Sequence, residues 1–462
     1  MPKQPFKAGP QRRRKVQPGT EVTISHLNDD GVGVARHEGR ELLVAGSLAG
    51  EKVVVAVEHT GQRRSICSLQ RVLEKSPLRR PSPCACANLC QGCALLPMRY
   101  EAQLRYKEAR LKQALGRYER LKNLQPQPIW AAASTLGYRT SAKLALGKLR
   151  GRVQVGLYRR GTHQIVDIGD CALHHPLINR IVRVVREEIQ RQNVFIYDPA
   201  TRRGLLRYLV VRVSPATGKA MVTFVTAERN YRELTHLAKW LTRKIPQVIS
   251  VHQNINGSSG NVILGRETIR MLGMPDLVDQ TGEVRLRISP ASFFQVHHEQ
   301  AARIYELVRN WAQLKPHETG LDLYCGIGGI ALHLARDAGE VIGIEMVEDA
   351  VRNAAENARM NQQNNCRFVA GDVADLLQDL PPGSFAVATV NPPRSGCQAE
   401  VIEALDNLAP AVLIYISCNP SSLARDLDLL QSRGYDISDL QPVDMFPQTA
   451  HLETVVRLRR KD

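Results

Sequence analysis

A thiol and a carboxylate near the C-terminus are the residues best suited to covalent chemistry. Cys418 lies in Ile416-Ser-Cys-Asn-Pro420, directly after the apolar run Ala411-Val-Leu-Ile-Tyr-Ile416. That run reads as a buried strand, so the thiol falls at the carboxyl edge of a sheet, where a thiolate can act as a nucleophile. A lone cysteine is more often an inert buried residue, so it needs company. Glu453, in His451-Leu-Glu-Thr-Val-Val456, sits just before a last strand and could accept a proton. Between them in role stands Asn391-Pro-Pro-Arg-Ser-Gly396, which follows a strand ending at Val390. Its polar residue and two prolines would shape a pocket for a planar base.

A second constellation points to a nucleoside-bearing ligand. Asp322-Leu-Tyr-Cys-Gly-Ile-Gly-Gly329 separates a strand from a helix, and Gly326 and Gly328 allow a ligand close to the backbone. Glu345 ends the next strand, at the place where a carboxylate meets a ribose diol. The spacing misses the dinucleotide G-x-G-x-x-G pattern, so an adenosyl ligand without a pyrophosphate, S-adenosylmethionine, fits better. The third constellation is Cys84-x5-Cys90-x2-Cys93, a thiolate spacing suited to zinc or an iron–sulfur cluster. It needs a fourth ligand. Cys171 is the first candidate, and Cys86 is a rival whose one-residue gap to Cys84 makes joint chelation awkward.

Three kinds of segment must position these groups. Over Thr20 to about Gln70, short β-type runs alternate with Gly and Asp-Asp-Gly turns, which predicts a small OB-like β-barrel. After a Pro-rich joint at 76–83, the region to Arg285 mixes strands and helices and reads as α+β, with a charged helix over Met98–Leu121. The last third alternates strands (Leu321–Tyr324, Val341–Glu345, Phe385–Val390, Ala411–Ile416) with helices, which predicts an open α/β sheet of the Rossmann-like kind. The expected division is therefore a basic tail over 1–19, a barrel over 20–75, a central region over 76–285 and a catalytic domain over 286–462. The helix at 98–121 is free to pack on the last of these.

Composition narrows the partners. The 462 residues carry a net charge of +17, with 43% hydrophobic and 5% aromatic residues. That balance disfavours an acidic metabolic enzyme and makes a polyanion the first partner to consider. The basic run Arg12-Arg13-Arg14-Lys15 fits a solvated tail or an RNA-contacting arm. No apolar run suits a bilayer span and no secretory stretch opens the chain, so a cytoplasmic protein is expected. Ten cysteines in such a chain suggest a metal site or catalysis rather than a disulfide scaffold.

Taken together, the motifs resemble the RNA uracil-5-methyltransferase family, and most closely its type that modifies 23S ribosomal RNA. The resemblance implies that residues 20–75 are a TRAM domain and that Cys84, Cys90, Cys93 and Cys171 hold a 4Fe–4S cluster. Ser289-Pro-Ala-Ser-Phe-Phe-Gln295 is similar to the segment whose Gln contacts S-adenosylmethionine. Tyr324, Gly329, Glu345, Asp372 and Asn391 fall on further cofactor positions. Ser417-Cys-Asn-Pro420 resembles the nucleophile motif, and Asp444-Met-Phe-Pro447 through Glu453 resembles the motif carrying the base. Three positions depart from the family pattern: Asn391 replaces a usual Asp, Gly329 a frequent Asn, and His297 another frequent Asn. The Gly-Gly end of the turn also resembles a sibling ribosomal RNA enzyme, which, with a transfer RNA uracil-5-methyltransferase, is the alternative within the family.

The implied reaction is methylation of carbon 5 of a uridine in 23S ribosomal RNA, through addition of Cys418 to carbon 6 and proton removal by Glu453. The expected partner is the RNA, with no membrane and no obligate protein partner. Other classes remain to be weighed. A radical methylthiotransferase would need Cys-x3-Cys-x2-Cys. A cytosine methyltransferase fits the Cys-Asn-Pro form poorly. A non-catalytic RNA-binding iron–sulfur protein would not need Cys418, Glu453 and the glycine turn together.

Overall fold

The computed structural model describes residues 19–159, 162–230, 232–260 and 262–461. Of the basic tail expected over 1–19, all but Gly19 lies outside the described residues.

The last third forms one seven-stranded sheet. Its strands run in the order Cys366–Ala370, Glu340–Glu345, Thr319–Leu323, Val387–Val390, Val412–Ser417, Glu453–Arg460, Tyr435–Val443. The first five are parallel, and Glu453–Arg460 inserts antiparallel to Val412–Ser417 and to Tyr435–Val443. Strand order reverses between Thr319–Leu323 and Val387–Val390, and such a switch point opens a ligand crevice beyond the strands' carboxyl ends. The inner strands are near-continuous apolar runs because helices cover both faces. Two strands, Cys366–Ala370 and Tyr435–Val443, escape the sequence pattern. Both are edges of the sheet and partly exposed, so they lack the apolar run that marks a buried strand.

The central region is a second seven-stranded sheet, ordered Glu267–Gly273, Val248–Ile255, Lys219–Thr226, Leu206–Ser214, Ser141–Leu149, Arg152–Tyr158, Ile165–Asp167. Pro176–Gln192 and Arg232–Lys244 pack on it through Ile178, Ile181, Val185, Leu234, Leu237 and Leu241. A hairpin of Leu277–Thr281 and Val284–Ile288 joins the two sheets. Leu286 and Ile288 pack with Ile327, Leu332 and Ala350 of the catalytic region, while Asp279 accepts a hydrogen bond from Ser214 at 2.7 Å. The expected boundary at 285/286 falls inside this hairpin.

The helix expected over 98–121 spans Tyr100–Leu115, and Leu111, Ala114, Leu115 and Leu121 enter the core of the catalytic sheet. At the N-terminus, Thr20–Glu74 forms a six-stranded sheet where five strands were expected. Thr20–Thr23 pairs with Lys52–Thr60, and His26–Leu27, a few residues on, pairs with Gly33–His37 at the other end of the sheet. One bent segment thus contributes to both ends. Arg79 is held by the buried Glu51 and donates to Gly46 O at 2.7 Å, so the Pro-rich joint is fastened to this sheet.

Candidate active site

The glycine turn owes its shape to left-handed backbone. Gly326 has φ +56°, Gly328 φ +84°, and Tyr324 takes φ +59° without being a glycine. A bulky residue held there is a strained position of the kind found at ligand clamps. Asp322, fully buried, stitches the turn to the sheet: one oxygen accepts from Thr389 Oγ1 at 2.6 Å, the other from Ala331 N–H at 3.0 Å. Burial pushes its carboxyl up to about 7, against those two hydrogen bonds. The motif containing Asp322 was visible in the sequence; its clamping role was not.

One cavity is lined by Gln295, Tyr324, Gly329 and Asn391, four of the residues expected to meet the cofactor, with Phe293, Phe294 and Tyr305. Tyr305 carried no sequence signal, being one apolar position on the helix His298–Ala312. Glu345 and Asp372 lie outside that lining but at the carboxyl ends of adjacent strands. Glu345 Oε2 accepts from Gly326 N–H at 3.1 Å, and Oε1 from Val347 N–H at 2.9 Å. Asp372 caps the helix Val373–Gln378 by accepting from Ala374 N–H at 2.8 Å. His297 is buried and turned elsewhere: its ring stacks on Tyr138 at 4.5 Å, and its Nε2 lies 3.2 Å from Ser134 O.

Cys418 and Glu453 meet because the last strand inserts antiparallel. Ser417 and Thr454 form the last pair of that ladder, so Cys418 and Glu453 are the residues that flank its end, near enough for the Glu453 charge to act on the thiol. Asn419 caps the helix Pro420–Ser432, accepting from Ser421 N–H at 3.1 Å, and Pro420 occupies the first turn. Cys418 therefore precedes a helix N-terminus, which favours a thiolate. Burial nevertheless pushes its thiol up, Glu453 adds to that, and the Arg394 guanidinium pulls it down. Burial also raises Glu453 to about 8, again against Arg394. Arg394 belongs to the Asn391-Pro-Pro-Arg motif, yet sequence reasoning gave it no role. Its backbone oxygen accepts from Asn419 Nδ2 at 2.9 Å and Ser422 Oγ at 3.1 Å, which ties that loop to the Cys418 turn.

The expected metal ligands come to one small region. Cys84, Cys90, Cys93 and Cys171, together with Cys86, line one small cavity with Leu96, Ile168 and Leu173. Asn179 fixes Cys171 by accepting from its N–H at 3.1 Å and donating to its carbonyl at 3.0 Å. Burial pushes Cys93 up to about 12. The buried Arg139 Nε has no hydrogen-bond partner, and the Arg139 charge pulls down both Cys93 and Cys171. Among the described residues, no group of three His, Cys, Asp or Glu is arranged to hold a metal ion. No helix there is long and apolar enough to cross a membrane.

An open sheet with this strand order, a glycine turn and an acid at the second strand's end defines a methyltransferase with a Rossmann-like domain. The description tRNA (Uracil-5-)-methyltransferase matches residues 99–461, and the chain belongs to that family of S-adenosylmethionine-dependent RNA uracil-5-methyltransferases. An RNA methyltransferase of Geobacter sulfurreducens is 45% identical over 100% of this chain and 93% of its own length. One from Halalkalibacterium halodurans is 35% identical over 96% of this chain and 97% of its own. Among solved structures, the Pyrococcus abyssi tRNA (uracil-54, C5)-methyltransferase in complex with S-adenosyl-L-homocysteine is similar at a TM-score of 0.77 and 27% identity, covering 95% of this chain and 100% of that one.

Proposed function

We propose that this chain methylates carbon 5 of a uridine in 23S ribosomal RNA through a covalent adduct on Cys418. The observation that carries the reading is that Cys418 and Glu453 flank the end of one antiparallel ladder and act on each other, on the same sheet edge as the cavity of Gln295, Tyr324, Gly329 and Asn391. Carbon 5 of uracil is a poor nucleophile. Addition of the Cys418 sulfur to carbon 6 moves electron density to carbon 5. S-adenosylmethionine supplies the electrophilic methyl group when bound. Glu453 then takes the proton from carbon 5, and elimination frees Cys418. Arg394 favours both anions that this sequence needs, thiolate and carboxylate. The target base must leave any stack to reach this pocket.

A second reading is a transfer RNA target. The similar Pyrococcus abyssi enzyme acts, by its name, on uracil 54 of tRNA, and its likeness extends over 95% of this chain. The N-terminal sheet, read here as a TRAM domain, therefore does not by itself favour ribosomal over transfer RNA. Incubation with labelled S-adenosylmethionine and either RNA, followed by mapping of the methyl group, decides between them. Cys418→Ala should abolish both transfer and trapping on 5-fluorouridine RNA. Glu453→Gln should accumulate a methylated covalent adduct, and free turnover by that variant would sink the assignment.

Cys84, Cys90, Cys93 and Cys171 fit a 4Fe–4S cluster better than zinc. Zinc needs several thiolates converging on one ion, whereas a cluster takes one thiolate per iron and so tolerates sulfurs spread around a cavity. The unpartnered Arg139 Nε beside Cys93 and Cys171 suits an anionic group. The reaction does not require the cluster, which would act by shaping the central region. Anaerobic iron and sulfide analysis tests this, four irons per chain being the expected result.

A further inference from the structure

A cleft of about 1000 Å³ lies in the central region, away from Cys418 and from the cysteine cavity. Its floor is the end of Ser141–Leu149, and the chain over 195–203 forms a wall. The strand starts beside Thr140, whose N–H donates to Val296 O at 3.0 Å, next to Gln295 at the cofactor cavity. Six residues of strand separate that point from the cleft, so the two are about 20 Å apart.

The lining has the composition of a base-stacking platform. Phe195 is 66% exposed, so its ring is open to a stacking partner at the cleft. Arg207 lies over the Tyr197 ring at 4.8 Å, and donates to Ser258 O at 2.7 Å, which holds ring and charge together. Lys148 and the exposed Arg203 add positive charge. The one acid in the lining, Asp198, is occupied locally: it accepts from Ala200 N–H at 2.9 Å and Thr201 Oγ1 at 3.1 Å. Flat aromatic faces interleaved with cations and an internally satisfied acid suit single-stranded RNA. They suit neither an apolar peptide nor a duplex, whose bases are already stacked.

We infer that this cleft is a second RNA-binding site, where unpaired nucleotides flanking the target stack on Phe195 and Tyr197 while Arg203 meets the phosphates. The inference rests on RNA being the substrate, but not on the chemistry of Cys418. It anchors the RNA about 20 Å from the strand end that borders the cofactor cavity, so a short unpaired segment bridges the two regions.

The test is binding of the full chain to an unstructured oligoadenylate carrying one 4-thiouridine, beside a duplex RNA of equal length. Phe195→Ala should lose about tenfold in affinity for the single strand and little for the duplex. Phe195→Tyr should keep the affinity. Arg203→Ala should reduce the slope of log affinity against log salt by about 0.7. Irradiation should crosslink the thiouridine to Phe195 or Tyr197. Unchanged single-strand affinity in Phe195→Ala, with crosslinks confined to other regions, overturns the inference. So does complete displacement of the oligonucleotide by low AMP, which would mark a mononucleotide site. Loss of adduct trapping at Cys418 with the crosslink retained would instead overturn the catalytic reading alone.

Discussion

Lys107 Nζ lies 2.5 Å from Asp444 Oδ1, with both side chains withdrawn entirely from solvent. Tyr100 Oη donates to the other Asp444 oxygen at 2.8 Å, and Lys107 also reaches Phe446 O at 3.0 Å. The helix Tyr100–Leu115 thereby grips the loop that leads from Asp444 to Glu453. A few residues on, Gln448 N–H donates to Gln103 Oε1 at 2.9 Å and Gln103 Nε2 returns to Gln448 Oε1 at 2.8 Å. The loop leading to Glu453, the proposed base, is thus held by a segment far from it in sequence.

Breaking that pair should be expensive. Lys107→Met strands a buried carboxylate and should cost about 3–5 kcal/mol by denaturant unfolding. Lys107→Met with Asp444→Leu should recover much of this, because neither charge then remains buried. The double variant should still turn over slowly, since the Glu453 loop has lost its grip, and should bind S-adenosylhomocysteine normally by calorimetry. Full activity in the double variant would show that the pair only stabilises the chain.

Glu453 gives the reaction a pH signature. With its carboxyl pushed up to about 8, proton removal from the adduct should quicken with pH and level off above about 8. Adduct formation follows Cys418, whose thiol is raised above its ordinary value of 9.0, and should keep rising beyond that point. Rapid-quench kinetics separate the two steps.

The same burial shows in stability. A carboxyl held higher in the folded chain than in the unfolded one favours folding fully below about 4.5, and loses that contribution as pH rises to about 8. Glu453→Gln lacks this dependence. Its advantage over the parent should therefore grow between those values, reaching on the order of 5 kcal/mol, and stay level above. Parallel unfolding curves at each pH would check it, and a constant difference would contradict the burial argument.

Glu345 orders the turn before any ligand arrives, through Gly326 N–H and Val347 N–H. Glu345→Ala should lower S-adenosylhomocysteine affinity by more than about tenfold, leaving RNA affinity unchanged. Glu345→Gln, which keeps one acceptor oxygen but sets an NH2 donor against the other N–H, should fall between.

Gly329 is set against Tyr305: an added Cβ would sit 3.0 Å from the Tyr305 hydroxyl. Gly329→Ala should weaken cofactor binding by crowding the cavity, and Tyr305→Phe in that background should restore part of it. No recovery would place the clash elsewhere.

The catalytic sheet was largely legible because its inner strands are continuous apolar runs separated by glycine turns, and buried parallel strands must read that way. The chemistry-bearing types at Cys418, Glu453, Glu345 and Asn391 were legible for the same reason: each follows, ends or begins such a run. The edge strands Cys366–Ala370 and Tyr435–Val443 were not, since half-exposed edges carry weak patterning. Nor could pattern assign Tyr305, Arg394 or the Lys107–Asp444 pair, whose roles depend on neighbours distant in the chain.

The order of residues alone determined which side chains end strands, since burial of apolar runs is a local demand that the chain states directly. Which of those ends face one another was decided by the insertion of Glu453–Arg460 antiparallel to Val412–Ser417, and by the packing of Tyr100–Leu115 beneath the loop that precedes it. Those pairings depend on hydrogen bonds and buried contacts between remote segments, and become determinate only once the whole core closes.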